Sequence, residues 1–226
     1  MERLTRAKAI EIAKTTGEMP GTDLSGSNLT DLNLSAVNLS GANLAGANLS
    51  KTNLSGTDLS GADLNGANIS SSNLTAARLK GALLQGADLS SSTLIGADLT
   101  GADLTGANLR LANLAGAHFD RANLTRADLQ QAEAGGTTFT EAVLEGANAY
   151  GTSFIAADLR GAKLRGAELT KADLNAALLA GADLGGAIIL AANLYAADLD
   201  GADLTDAKLT ATDLTRTILD QHPKGI

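Results

Sequence analysis

Histidine and cysteine, which most often build catalytic dyads and transition-metal sites, are scarce in this sequence. The two histidines, His118 and His222, lie about a hundred residues apart, and the chain has no cysteine. A catalytic dyad or a metal site needs such side chains close together, and no glycine-rich phosphate-binding motif is present. With 17 Lys and Arg against 25 Asp and Glu, and only 2% aromatic residues, the composition also disfavours direct binding of nucleic acid. The sequence therefore predicts neither an enzyme nor a cofactor or metal site.

A five-residue phrase organises the chain from Thr22 to Gln221 and is repeated forty times without a break. The segment 102–106, Ala-Asp-Leu-Thr-Gly, is a typical copy. Its third position holds Leu in 33 of 40 repeats and an apolar residue in the others. A period of five suits neither a helix, where it would scatter the leucines, nor a continuous strand, where it would alternate them between faces. The chain must therefore turn a corner in each repeat, with Leu and the small residue two before it inward and the Asp or Asn between them outward.

This phrase resembles the pentapeptide-repeat family over residues 22–221. The resemblance implies an all-β fold, a right-handed quadrilateral β-helix with four repeats per coil and about ten coils, stacked about 4.8 Å apart. We name the four walls after their first leucines: Leu24, Leu29, Leu34 and Leu39. Gly holds the last position in 20 of 40 repeats, as a bend with positive φ would favour. His118 then points outward with Asp98 one coil below, which we interpret as a surface histidine.

The N-terminal residues break the period and predict a short helix over residues 2–16. A stripe at helical spacing is formed by Ala9, Ile12, Ala13 and Thr16. Gly17 and Pro20 end the pattern. We interpret residues 1–21 as a capping helix and turn over the first coil, whose backbone edge and leucines would otherwise be exposed. A helix that docks on a partner is the alternative.

Some inward positions depart from the pattern. Leu32 and Val37, the only large residues at the small inward position, lie in the first coil and are expected to fill space against the cap. Farther along, Ala replaces Leu twice and Phe follows one repeat later, in the pairs Ala134–Phe139 and Ala149–Phe154. We interpret these pairs as compensation of volume between adjacent walls of one coil. A ligand pocket is the alternative.

The C-terminal end has no predicted cap. Residues 222–226 form a tail that is too short for a capping helix. The last coil is built on Leu204, Leu209, Leu214 and Leu219. Because soluble proteins rarely leave such an end bare, we expect a homodimer that joins two last coils end to end. A tail folded over the last coil is the alternative.

Acidic residues gather towards the C-terminal end, mainly on the Leu24 and Leu39 walls. The outward position before each Leu holds Asn 13 times and Asp 13 times, and Asp predominates from Asp158 onward. In the last two coils, residues 182–221, seven Asp face only Lys208 and Arg216. We define these seven as the acidic edge, a candidate protein-binding site: Asp183, Asp198, Asp200, Asp203, Asp206, Asp213 and Asp220. Their charge density approaches that of duplex DNA, about one charge per 1.7 Å.

A second candidate protein-binding surface is apolar. Both tyrosines of the chain and three aliphatic residues are expected along the edge between the Leu29 and Leu34 walls. We define this apolar edge by Tyr150, Ile155, Ile188, Leu190 and Tyr195. Aromatic residues are enriched in the centres of protein interfaces, so the cluster predicts a contact site.

The sequence thus favours a non-catalytic solenoid that acts as a protein-interaction scaffold, with its partner unknown. The alternative comes from the family resemblance, because part of the family mimics DNA and binds the type II topoisomerase gyrase; here the acidic C-terminal coils would do so. A purely structural or designed rod is a third interpretation. The charged N-terminal residues do not resemble a signal peptide and no transmembrane run follows, so we expect a cytoplasmic protein without membrane contact.

Overall fold

The computed structural model describes residues 4–218. Its walls are ladders of parallel bridges, each one residue long, that join residue i to residue i+20 from Glu18–Asn38 to Asp198–Ile218. Twenty residues per coil correspond to four repeats, as the family resemblance implies. One helix precedes the coils in the described part of the chain, α1, Arg6–Thr15. The chain therefore forms a quadrilateral β-helix with a short N-terminal helix.

Backbone hydrogen bonds connect each coil to the coils on both sides. The N–H of an outward residue donates to the carbonyl 21 residues earlier, as from Asn43 to Thr22 at 2.9 Å. The N–H of the following Leu points the other way and donates to the carbonyl 19 residues later, as from Leu24 to Asn43 at 2.7 Å. Interior coils thus satisfy both of their edges without any long strand.

The corners confirm the predicted bend. All forty positions from 21 to 216, taken in steps of five, have positive φ, and 19 of them are not glycine. Leu111 and Arg126, for example, adopt φ of 58° and 56°. Glycine adopts this conformation without the steric cost that other residues bear. It is therefore favoured at the corners but not required.

The core is a column of small and large side chains. Inward Leu and Ala side chains of the interior coils are almost wholly buried, with Leu104 at 0% exposure. Where Ser or Thr replaces Ala, its hydroxyl usually donates to the Leu carbonyl 23 residues earlier; Thr57 bonds to Leu34 at 2.7 Å in this way. No buried side-chain nitrogen or oxygen in residues 4–218 lacks a hydrogen-bond partner.

Three phenylalanines fill the middle of the core. The rings of Phe119 and Phe139 stack with centroids 5.1 Å apart, and Phe154 meets Phe139 edge-on at 5.8 Å. Ala134 and Ala149, which lie beside them in the same coils, are also fully buried. This packing is what the interpretation of volume compensation between adjacent walls predicts.

Helix α1 is shorter than the predicted helix. Thr5 caps its start by accepting a hydrogen bond from the Lys8 N–H at 3.3 Å, and Gly17, at φ 67°, closes its end by donating to the Ile12 carbonyl at 2.8 Å. The predicted stripe is correct for Ala9, which is buried, and for Ile12 and Ala13, which are half-buried; Thr16 is exposed. The predicted start at Glu2 lies outside the described residues.

The helix caps the first coil. The Leu4 N–H donates to the Asp23 carbonyl at 2.7 Å, and the Arg6 guanidinium donates to the carbonyls of Asn28 and Thr30 at 2.8 and 2.9 Å. Leu4, Ile12 and Ala13 pack against the core. Of the two large residues expected to fill space here, Val37 is buried and Leu32 is only half-buried.

Burial decreases at the other end of the rod. Leu204 is fully buried, whereas Leu209 and Leu214 are half-buried. Leu219 and the predicted tail lie outside the described residues.

Candidate protein-interaction surfaces

The coil geometry brings only part of the acidic edge together. Asp183 and Asp203 are bridged neighbours on the Leu24 wall. Asp198 lies on the adjacent Leu39 wall and Asp200 on the corner between these walls, so these four carboxylates share one edge. Asp206 lies at the next corner and Asp213 on the opposite Leu34 wall, where it bridges Asn193. The structure thus separates Asp213 from the predicted edge, and Asp220 lies outside the described residues.

Arginines offset part of this acidity. Arg165 Nη1 lies 3.3 Å from both carboxylate oxygens of Asp183, and Arg160 Nη2 lies 2.6 Å from Asp158 Oδ2. The Asp158 carboxylate, with a smaller contribution from Asp198, raises the pKa of the Arg160 guanidinium. The net negative charge on this edge is therefore smaller in magnitude than the number of its Asp residues indicates.

Outward Asn and Asp residues have a structural role that the sequence analysis missed. Their Oδ1 atoms accept a hydrogen bond from the N–H two residues later, as Asp203 does from Thr205 at 2.9 Å and Asn193 from Tyr195 at 3.0 Å. Either side chain supports such a turn, because both present an oxygen at the same place. The turn thus explains why this position holds Asn or Asp, while the charge stays free to vary.

The five apolar-edge residues do not form a single edge. Tyr150 and Leu190 lie at the corner between the Leu29 and Leu34 walls. Ile155 and Tyr195 lie at the next corner, between the Leu34 and Leu39 walls: Ile155 accepts from the Gly136 N–H and Tyr195 from the Ala176 N–H. Ile188 lies on the Leu29 wall, where it bridges Lys208. The predicted edge is therefore two corners that flank one wall.

Both tyrosine rings are covered by cations from the next coil. Lys171 Nζ lies 5.4 Å from the Tyr150 ring centroid, and Arg216 Cζ lies 5.7 Å from that of Tyr195. Interaction with the Tyr150 side chain raises the pKa of Lys171. Four of the five apolar-edge residues are half-buried, and only Ile155 is exposed. These corners are thus amphipathic and do not form an exposed hydrophobic patch.

His118 belongs to a surface hydrogen-bond chain. Its Nδ1 lies 3.2 Å from Thr138 Oγ1, and the Thr138 hydroxyl donates to Asp120 Oδ2 at 2.6 Å. Burial opposes ionisation of Asp98, but hydrogen bonds from Thr100 and the nearby His118 ring outweigh it and lower the pKa. His222 lies beyond the described residues, in which no group of three or more metal-ligating side chains occurs.

A groove of about 530 Å³ separates α1 from the first coil. Its lining includes Ile10 and Ala13 of the helix together with Leu32 and Leu34 of the coil, and Lys14 and Asp31 are also part of it. Apolar side chains thus meet one basic and one acidic residue. Ile10 lies off the helical stripe that faces the core, so its spacing predicts no role for it.

The ladders, left-handed corners and uninterrupted coils define a β-helical repeat solenoid. A sequence profile of pentapeptide repeats matches the chain over residues 18–44, 33–70, 72–110, 112–140, 122–166, 137–175 and 177–216. The chain therefore belongs to the pentapeptide-repeat family. No curated protein sequence matches it significantly. Helix α1 is too short to cross a membrane, and residues 4–218 contain no other helix that could do so.

Solved structures resemble the chain along most of its length. HetL, a pentapeptide repeat protein involved in heterocyst differentiation regulation from the cyanobacterium Nostoc sp. strain PCC 7120, is 31% identical. The match covers 96% of this chain and 95% of HetL with a TM-score of 0.80. A trypsin-treated form of QnrB1, a plasmid-mediated fluoroquinolone resistance protein, is 19% identical over 90% of this chain and 92% of QnrB1, with a TM-score of 0.57. The likeness to QnrB1 shows a shared fold alone.

Proposed function

We propose that this protein is a non-catalytic scaffold that binds another protein in a regulatory process in the cytoplasm. The observation that carries the proposal is the likeness to HetL over almost the whole of both chains. HetL is involved in heterocyst differentiation regulation, and the match covers 96% of this chain and 95% of HetL. No single residue of this chain identifies the partner.

The rod has physical properties that suit a scaffold. Every interior coil bonds to two neighbours through its backbone, so the walls hold their side chains in fixed rows. A surface that is ordered before binding loses little conformational entropy when a partner docks. Different side chains on one backbone then give each wall its own specificity.

The alternative function is mimicry of DNA towards gyrase. The observation that favours it is the set of four carboxylates shared by the Leu24 and Leu39 walls: Asp183, Asp198, Asp200 and Asp203. A basic DNA groove would attract such an edge. Against it, Arg165 pairs with Asp183, and the bridges from Glu18 to Ile218 leave no room for a projecting loop.

A supercoiling assay with purified gyrase separates the two functions. We expect neither inhibition nor protection of the enzyme at micromolar protein. If the wild type inhibits gyrase and the triple variant Asp198→Asn/Asp200→Asn/Asp203→Asn does not, the result would favour DNA mimicry over the scaffold function. The triple variant keeps the turns, because Asn accepts the same hydrogen bonds as Asp.

The scaffold is tested by cross-linking the protein in its native host, identifying the bound protein and reconstituting the complex from purified components. We expect saturable 1:1 or 2:2 binding that Tyr150→Ala/Tyr195→Ala weakens and the triple Asn variant does not. The absence of any reconstituted complex from the cross-linked candidates would contradict the proposal.

A further inference from the structure

The lower edge of the first coil, the edge that faces α1, makes at least one backbone hydrogen bond to the preceding residues on three walls. On the Leu39 wall, Asn38 donates to Gly17 and accepts from Met19, both at 2.8 Å. On the Leu24 wall the Asp23 carbonyl accepts from the Leu4 N–H. On the Leu29 wall the Arg6 guanidinium covers the two carbonyls. In every interior coil the corresponding groups bond to the coil below.

The Leu34 wall is different. Within residues 4–218, the N–H and carbonyl of Asn33 and the carbonyl of Ser35 make no hydrogen bond to the protein. One coil later the same groups are bonded: the Asn53 N–H donates to Leu32, and the Asn53 carbonyl accepts from Leu34. One donor and two acceptors are thus left open, with the spacing that a parallel strand would complete.

These open groups face the groove between α1 and the first coil. Asn33 and Ser35 both line it, beside the apolar side chains of Ile10 and Leu32. Its volume, about 530 Å³, lies within the range of roughly 300–1,000 Å³ that is usual for ligand sites. An open strand edge beside an apolar surface is the arrangement that binds extended peptides by strand addition.

We propose that this groove binds an extended segment of the partner protein, added as one side of a further coil. The proposal rests on the scaffold function proposed above and adds a second contact for that partner, apart from the corners of Tyr150 and Tyr195. The segment runs parallel to residues 31–35, because every bridge in the described rod is parallel. Its backbone carbonyl accepts from the Asn33 N–H, and two of its N–H groups donate to the carbonyls of Asn33 and Ser35.

The side chains of the groove set the chemistry of the segment. An aliphatic side chain of the segment fits against Ile10 and Leu32, as an inward Leu does at the equivalent position of most coils. Lys14 and Asp31 in the lining favour polar residues on either side of it. Helix α1 already covers the core here, so a single strand fits where the whole end of a second rod would not.

A peptide copied from the repeat of this chain is a suitable probe, because the same residues form parallel bridges inside the rod. A synthetic decapeptide with the sequence of residues 101–110 is titrated into the ¹⁵N-labelled full chain and followed by NMR. We expect saturable shifts at the amides of Ile10, Asn33, Leu34 and Ser35. Shifts confined to the last coil, or no shifts at millimolar peptide, would overturn the proposal.

Two variants separate strand addition from adhesion to an apolar surface. A peptide that is N-methylated at the amide corresponding to Leu104 lacks a donor for Asn33 and should bind at least about fivefold more weakly. Ile10→Glu in the protein should also abolish the shifts, whereas Leu111→Glu, at a distant corner, should not. Equal binding of both peptides, or the same shifts caused by protein concentration alone, would contradict the proposed occupant.

The binding experiments distinguish failure of the groove proposal from failure of the scaffold proposal. If a partner identified by cross-linking binds the Ile10→Glu variant with unchanged affinity, the groove proposal fails and the scaffold proposal stands. If no partner is reconstituted while the decapeptide still binds, the groove is a strand-accepting site without the proposed function.

Discussion

The hydroxyl of Thr57 donates a hydrogen bond of 2.7 Å to the carbonyl of Leu34, which lies in the coil below. Thr57 is fully buried at a position that Ala usually holds. The bond thus links two coils inside the core, where an unpaired hydroxyl would be costly. It shows how the core admits a polar side chain without loss of the repeat.

Removing this hydroxyl should destabilise the rod modestly. We expect Thr57→Val to lower the free energy of unfolding by about 1 kcal/mol, the usual net value of such a bond. The loss is limited because the Leu34 carbonyl also accepts from the Val37 N–H at 3.2 Å. Thermal and urea unfolding measure the effect, and Thr57→Ser, which keeps the hydroxyl, is the control. Equal stability of the Val variant and the wild type would mean that the bond contributes nothing.

The inward and outward positions should differ sharply in their tolerance of charge. Leu104 is fully buried, so Leu104→Asp places a carboxyl without a partner in an apolar column, at a cost of several kcal/mol, roughly 3–5. Asp103→Asn, one residue away, keeps the oxygen that accepts from the Thr105 N–H at 3.0 Å and should be nearly silent. Thermal unfolding compares the two, and similar melting temperatures would contradict the assignment of the faces.

The corners allow a test of backbone conformation separate from packing. At Gly106, φ is 65° and an added Cβ would meet no atom within 4 Å. Gly106→Ala should therefore cost about 1 kcal/mol through the left-handed backbone alone. Ala176→Gly, at φ 54°, should change stability in the opposite direction and by less, because glycine also loses more freedom on folding. Unfolding by urea measures both, and a loss of stability in both variants would reject this explanation.

The rod should become less stable at acidic pH, because protonation of Asp158 breaks its ion pair with Arg160. The hydrogen bond from Arg160 is the main cause that lowers the pKa of Asp158 below its ordinary value of 3.8. A lowered pKa in the folded state contributes stability above the unfolded value, and this contribution is lost as pH falls through the folded pKa. Asp158→Asn should thus be less stable than the wild type at pH 7, and this difference should shrink as pH falls below 3.8 and through the folded pKa of Asp158. A constant difference across this range would contradict the role of the ion pair.

The five-residue period predicted which side chains lie inside, but not which surface residues meet. The inward Leu104 and outward Asp103 follow directly from the repeat, because the pattern fits only a chain that bends in every copy. Surface neighbours follow from the coil length of twenty residues, which the family resemblance implies. It places Tyr150 and Ile155, five apart, at successive corners, so the prediction of a single apolar edge is wrong. The open edge at Asn33 was not predictable, because it depends on how α1 crosses the first coil, and tertiary packing decides that path.

The C-terminal coil should mediate the assembly of two chains. Leu209 and Leu214 are half-buried, whereas the equivalent leucines of interior coils have almost no exposure. We propose that two chains bury these side chains against each other in an isologous end-to-end contact. The nearby Asp198, Asp200 and Asp203 of two chains repel each other, but they lie on the walls and their corner, and salt screens them beyond about 8 Å at physiological strength. The dimer should therefore be stronger in high salt than in low salt.

Light scattering at several salt and protein concentrations checks this prediction on the 226-residue chain. We expect a mass that rises above the 22.7 kDa of the monomer as both concentrations increase. Leu214→Glu should keep the chain monomeric, because a carboxylate would be buried in the contact without a partner. Leu111→Glu, on an exposed corner far from this end, should dimerise like the wild type. A mass of 22.7 kDa at high protein and high salt would rule out the dimer.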